Sequence, residues 1–319
     1  MKDDVRALTD FPPAAASAGT LPDVALQQPA RHGVLDWVGM DNMALPLQPD
    51  TAGGAMQTVA ATVDVAVNLV DARARGIHMS RLYLLLQQRL ARTPLTPQLL
   101  VEMLDALVQS QNGLSTRARL QLRWDHLLLR PALVSAQGGW KAYPVQVEAV
   151  HVEDGMPQIT LQVGIDYSST CPASAALSRQ ANAQRFFADF TATTADRQAV
   201  HDWLASERGM AATPHAQRSR ATVQVWLQDA AEQWPLQALI DAMEAALATP
   251  VQTVVKREDE QAFAERNAAN LLFCEDAARR MADVLRRFPG IDRFDVTAAH
   301  LESLHAHDAV ARIGGRAGI

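Results

Sequence analysis

Apolar and polar residues alternate through Val59, Ala61, Val63, Val65 and Val67, a period of two that predicts a strand with one buried face. The period then changes. Met79, Leu82, Tyr83, Leu86 and Leu90 recur at helical spacing, and after the break TPLTP a second amphipathic helix is marked by Leu99, Leu100, Met103, Leu104, Leu107 and Val108. Thr96 stands where an N-cap belongs, and Pro97 falls in the first turn, where a missing N–H is tolerated. Alternation returns at Ala118, Leu120, Leu122 and Trp124 and again around Val145 and Val147.

The second half repeats that order. Ile159, Leu161, Val163, Ile165 and Tyr167 predict a strand, residues 178–212 read as an insertion with helical stretches, and Ala221, Val223, Val225 and Leu227 predict a further strand. Two helices follow, one lined by Leu236, Leu239, Ile240, Met243 and Leu247, the other by Ala277, Ala278, Met281, Val284, Leu285 and Phe288. Short strands around 294–296 and 310–313 close the chain. The sum is β-β-α-α-β-β twice, with consecutive helices in place of βαβ alternation. It predicts an α+β fold of antiparallel sheets with helices on one face, in two modules at 33–153 and 154–319. Residues 1–32, rich in Ala and Pro and without a sustained period, are expected to form a flexible N-terminal extension.

Composition narrows the class. With 48% hydrophobic residues in 319, the chain can bury a large core, which excludes wholesale disorder. A formal net charge of −6 argues against a broad nucleic-acid footprint but leaves room for a local basic phosphate pocket, and no apolar run approaches the ~18–20 residues of a membrane span. The start MKDDVRALTDFPPAAASAG has acids where a signal peptide is basic, and two cysteines cannot make a disulfide framework, so a reducing, cytoplasmic compartment is expected.

Several segments carry candidate chemistry. Cys171, in YSSTCPASAALSR, follows a predicted strand and precedes a helix start; a helix N-terminus favours the thiolate, the form that attacks or ligates. Cys274, in NLLFCEDAARR, is expected mid-helix as a structural residue. His215, in TPHAQRSRA, lies just before a strand, and LESLHAHDA places Glu302, His305 and His307 close together. Cys, His and Glu together suit zinc-type ligation, although no CxxC or HExxH spacing is present. The charged run VVKREDEQAFAERN reads as a solvated helix start, or as a source of one carboxylate turned into a pocket. In GIHMSRLY, Gly76, His78, Ser80 and Arg81 precede a helix and suit either phosphate or a simple N-cap.

Taken in order, GIHMSR, YSSTCPASAALSR, PHAQRS, KREDEQAFAERN, NLLFCEDAARR and LESLHAHDA resemble the type IB GTP cyclohydrolase family over roughly residues 34–313. The resemblance implies a tunnelling fold of two ββααββ modules and a homo-oligomer, a tetramer, with active sites at subunit interfaces. It implies conversion of GTP and water to 7,8-dihydroneopterin triphosphate and formate, the first step of tetrahydrofolate and pterin synthesis. It also implies a divalent metal (Zn, Mn or Fe) on Cys171 and His215, with Glu302 and His305 moving protons and Glu265 recognising guanine. His78, Arg81, Arg218 and Lys256 would contact the triphosphate. Many relatives carry a second Cys where this chain has Ala173, and some a metal-binding Glu where it has Pro250, which leaves the third ligand open. Two other readings use the same fold: a Cys-dependent nitrile reductase of deazaguanine metabolism, and a non-catalytic protein that binds a purine or pterin.

Overall fold

The computed structural model describes residues 25, 27–51, 57–152, 157–228 and 231–318. Eight strands form one antiparallel sheet in chain order: β1 (Leu35–Leu47), β2 (Val59–Leu69), β3 (Ala118–Pro131), β4 (Gly138–Val150), β5 (Gln158–Thr170), β6 (Ala216–Leu227), β7 (Ile291–His300) and β8 (Ala309–Arg316). Because every strand reverses its neighbour, the odd strands finish at the end of the sheet where the even ones begin. Helices fill three connections. After β2 come α1 (Met79–Leu85), continued by a π-helical turn over Leu86–Leu90, and α2 (Pro97–Ser110). After β5 come α3 (Pro172–Asp189) and α4 (Arg197–Leu204), and after β6 come α5 (Leu236–Leu247), α6 (Arg257–Ala269) and α7 (Cys274–Leu285). The two expected modules supply four strands each to a sheet that continues from β4 into β5.

Alternation puts one face of the sheet into the core. Val63, Val65, Leu120, Leu122, Val147, Leu161, Val163, Val223, Val225 and Val296 are buried, together with Leu100, Met103 and Leu104 of α2, Leu239 and Met243 of α5, and Met281 of α7. The intervening residues form the polar face, where Arg123 meets Asp64 at 2.6 Å and Arg220 meets Asp166 at 2.8 Å. Thr96 caps α2 as its sequence predicts, accepting from the Leu99 N–H at 3.1 Å.

Two features depart from the sequence pattern. Strand β1 lacks clean alternation because it is an edge strand with register shifts at Leu35/Val38 and Met40/Met43, and Asn42 takes a positive φ of 61° beside them. The insertion starts inside a longer helix: α3 begins at Pro172, and Phe186 and Phe190 pack with Trp203 of α4 in a small aromatic cluster. The extension expected over 1–32 lies mostly outside the described residues. Its Ala25 carbonyl accepts from the Arg75 and Gly76 N–H groups at 2.9 and 3.2 Å.

The run KREDEQAFAERN makes a full helix, α6, in which only Asp259 is buried. The acids sit in the first turn, as a solvated helix start has them, and the carboxylate that turns inward, Asp259, makes a structural clamp. Asp259 accepts from the backbone N–H groups of Val134 and Ser135, each at 2.8 Å, from the Ser135 hydroxyl at 2.6 Å and from the Lys256 N–H at 2.9 Å. It clamps the β3–β4 hairpin onto the start of α6. These bonds, the Ser135 hydroxyl foremost, hold its carboxyl well below the usual carboxylate range. A depressed native value means the stabilisation is complete above the unfolded-state value of ~4 and fades as pH falls below it. Asp259→Asn is therefore expected to lower the urea midpoint at pH 7, with the gap to wild type narrowing between pH 5 and pH 3. A gap that does not change with pH would mean that the charge contributes nothing.

Candidate active site at the carboxyl end of strand β5

The site begins with a backbone contact between neighbouring strands. Cys171, the first residue past β5, donates its N–H to the carbonyl of His215, the residue just before β6, at 3.2 Å. This sets the two residues side by side at one end of the sheet. Cys171 is the N-cap of α3, with Pro172 in the first turn, and its Sγ accepts from the Ser174 N–H at 3.5 Å. The Ser174 hydroxyl accepts in turn from the His215 N–H at 3.1 Å. Thus a strand end, a proline-started helix and a serine fix both backbones.

Glu302 reaches the same place from the β7–β8 connection. Its Oε2 lies 3.8 Å from His215 Nδ1 and is buried without a hydrogen-bond partner. A buried carboxylate oxygen with nothing donating to it costs free energy unless a cation or a donor fills the space. Of the residues expected to act, Cys171, His215 and Glu302 are thus brought together.

Beneath them lies a polar layer that the sequence reading did not assign. His215 Nδ1 is 3.1 Å from Gln217 Oε1, Gln217 Nε2 donates to Ser169 Oγ at 3.0 Å, and Ser169 Oγ is 2.7 Å from Ser219 Oγ. Nearby, His300 Nε2 is 3.0 Å from the Tyr167 hydroxyl, with the rings edge to face at 5.8 Å. Burial lowers the His300 pKa and favours its neutral form against the opposing pull of Glu302 and Glu275, while burial raises that of Tyr167. The period-two pattern carried a signal for His300, which continues Phe294, Val296 and Ala298 along β7.

Cys274 departs from its expected mid-helix place: it opens α7. It is buried, 3.3 Å from Glu275 Oε2, and burial aided by that carboxylate pushes its thiol up to about 11. Its burial agrees with the structural reading of the sequence.

The other candidates separate into two groups. Glu265 is exposed on α6, Lys256 is exposed just before it, Arg218 is exposed on β6 opposite Ser168, and His305 is exposed in the β7–β8 connection, stacked on His307 at 5.1 Å. These lie toward the same end of the sheet as Cys171. His78 and Arg81 lie at the other end, because they follow β2, which runs opposite to β5. Within the chain Arg81 donates to the Ser110 carbonyl at 2.7 Å, closing the C-terminus of α2, and the His78 N–H donates to Gln111 Oε1 at 2.8 Å. His78 is the residue before α1, where Ser80 was one candidate cap. Pro250 offers no ligand; it lies beside Tyr167 in a short stretch against β5.

Among the described residues, no group of three or more His, Cys, Asp and Glu side chains is close enough to hold a metal ion. The donors nevertheless fit a partial site. A thiolate and an imidazole on adjoining backbones, with an unpartnered carboxylate oxygen beside the imidazole, suit a divalent ion that leaves positions for water or substrate.

A sequential antiparallel sheet with helices grouped on one face and polar residues at its end belongs to the tunnelling-fold class. The crystal structure of urate oxidase from Bacillus sp. TB-90 superposes with a TM-score of 0.50 at 9% identity, covering 88% of this chain and 99% of that one, a likeness of fold alone. The family model described as type I GTP cyclohydrolase folE2 matches residues 21–311. The GTP cyclohydrolase FolE2 of Pseudomonas putida (strain GB-1) is 48% identical over 291 residues, covering 91% of this chain and 94% of that protein. The chain belongs to the type I GTP cyclohydrolase FolE2 family, a placement that disfavours the nitrile reductase and the non-catalytic readings.

The two thiols differ in access, and labelling separates them. An aromatic disulfide reagent is expected to modify one thiol per chain in the native protein, and Cys171→Ala to remove that reaction. Modification of both thiols without denaturant would show that Cys274 is not sealed in the core.

Proposed function

We propose that the chain is a GTP cyclohydrolase that opens the purine ring at C8 and converts GTP and water to 7,8-dihydroneopterin triphosphate and formate. One observation supports this most: the buried, unpartnered Glu302 oxygen beside His215, next to Cys171, in a chain of this family. Attack at C8 needs an activated water and a proton source for the ring nitrogen. Cys171 and His215 are the ligands for a divalent metal, which when bound supplies a more acidic water, with a pKa that can fall toward ~7. Glu302, near-buried and 3.8 Å from His215, is the group assigned here to take up a proton from the reacting centre and return it as charge develops. His305, exposed in the same connection, serves the ribose side of the reaction. The triphosphate is held by Arg218 and Lys256 from this end of the sheet and by His78 and Arg81 of a neighbouring copy, in a homo-oligomer whose centres lie between chains.

Base recognition falls to Glu265. An ionised carboxylate only accepts hydrogen bonds, and guanine offers N1–H and a 2-amino group side by side; adenine presents a lone pair at N1 instead. Glu265 is exposed on α6, so removing it should barely affect folding. Glu265→Ala is expected to lower kcat/KM for GTP by ~100-fold or more at an unchanged melting temperature, because a site built for those donors loses the acceptor that pairs with them. Inosine triphosphate, which lacks the 2-amino group, is the control. Wild-type kinetics in the variant would return Glu265 to the solvent.

The direct assay is formation of a neopterin-type fluorophore after oxidation, from protein, GTP and Mn²⁺ or Zn²⁺. Cys171→Ala is expected to abolish it and to reduce bound metal sharply. Cys274→Ala is expected to cost on the order of 1 kcal/mol of stability and to leave turnover nearly intact. Equal turnover in the two variants would refute the assignment of Cys171.

A further inference from the structure

A neutral imidazole carries one proton on two nitrogens, and whatever faces one nitrogen decides what the other can do. For His215 the neighbours of Nδ1 are two. Gln217 Oε1 is 3.1 Å away, and Glu302 Oε2 is 3.8 Å away. Gln217 is held from behind by Ser169, whose Oγ accepts from Gln217 Nε2 at 3.0 Å and lies 2.7 Å from the fully buried Ser219 hydroxyl.

The row from Ser219 to His215 could by itself run in either direction. Each serine can donate or accept, and a carboxamide turned over exchanges its oxygen for its NH₂. Glu302 breaks the tie. Its Oε2 is buried with no donor, and a carboxylate oxygen attracts an N–H and repels a lone pair. Nδ1 therefore bears the proton, Gln217 turns its oxygen toward the ring, and its NH₂ donates to Ser169, whose own proton goes to Ser219. That leaves the lone pair of His215 on Nε2.

We propose that Gln217, anchored by the Ser169–Ser219 hydroxyl pair and assisted by the charge of Glu302, is a positioning residue that fixes His215 in the Nδ1–H tautomer and reserves Nε2 for the metal. The proposal rests on the reading of His215 as a ligand given above and adds the group that orients it. Outer partners of this kind change metal affinity by ~10–100-fold when removed. The register explains why Gln217 can do this: it lies opposite Ser169 on β5, and with Ser219 it shares one face of β6.

The test uses full-length, metal-free protein labelled with ¹⁵N-histidine. Two-bond ¹⁵N–¹H correlation spectra identify each tautomer, and His215→Ala assigns the signal. Wild type is expected to show His215 as the Nδ1–H form. Gln217→Leu removes the acceptor and is expected to bring up the Nε2–H form and to weaken Zn²⁺ binding, measured by competition with a chromophoric chelator, by ~10–100-fold. Gln217→Glu keeps an oxygen in place and should retain both the tautomer and affinity to within a few-fold. If the Leu variant does not fold, Ser169→Ala, which frees the carboxamide to turn, carries the same expectation. An Nε2–H signal in wild type, or a Leu variant with unchanged tautomer and Zn²⁺ affinity, overturns the proposal. If the tautomer behaves as expected but Cys171→Ala binds Zn²⁺ as wild type does, the ligand reading of the site fails and with it the role of Nε2, while the orientation of His215 by Gln217 stands.

Discussion

Strand β5 lies inside the sheet, yet β4 accompanies it only as far as the pair Val145–Val163. The next residue of β4 is Pro144, which has no N–H to offer, and the β3–β4 hairpin departs from there. The upper half of β5 must satisfy its backbone groups some other way, since buried unpaired amides are not tolerated. The chain supplies partners from far along the sequence. Ser168 donates to the Thr249 carbonyl at 2.8 Å, Val251 donates to Asp166 at 3.1 Å and Leu272 donates to Thr170 at 3.0 Å. Those contacts fix both flanks of α6 and the start of α7, and they leave Cys171 as the next residue along. The position of Glu265 relative to Cys171 thus follows from a backbone requirement of one strand.

Two carboxylates at this end of the sheet show how differently the fold treats negative charge. Asp259 receives four hydrogen bonds and is locked as a structural clamp. Glu302 is nearly as enclosed, yet its Oε2 receives none. The first arrangement minimises energy in the isolated chain; the second leaves free energy to be recovered when something binds. Glu244 belongs with the first kind: it accepts from Lys141 and from the Tyr143 hydroxyl, each at 2.7 Å, and ties the base of the same hairpin to α5.

Much of this was legible in the sequence because it depends on local rules. The alternation of β2, β3 and β5, the helical spacing of α2 and α5, the Thr96 cap and the placement of Cys171 between a strand and a helix all follow from period, capping and turn chemistry. Strand β1 was obscured by bulges that break its period, and α6 because its alanines and Phe263 form no apolar stripe and its attachment runs through Asp259. At the site, Cys171, His215 and Glu302 could be nominated by residue type and family pattern. Gln217, Ser169 and Ser219 could not, because a serine or glutamine in a strand acquires meaning only when register places it opposite a partner. His78 and Arg81 could be nominated as a pair, but only the direction of β2 reveals that they stand far from the thiol.

That last arrangement has a consequence at the level of genes. Residues at opposite ends of a sheet can serve one centre only if two copies of the chain contribute to it. If Arg81 serves a neighbour's centre as proposed, an allele damaged there would, in an equal mixture, disable about half of the centres whichever copy supplies their Cys171. Two alleles broken at opposite ends could, in the same assembly, still combine into some centres that are whole. Inheritance of defects in this protein would thus report the geometry of its sheet.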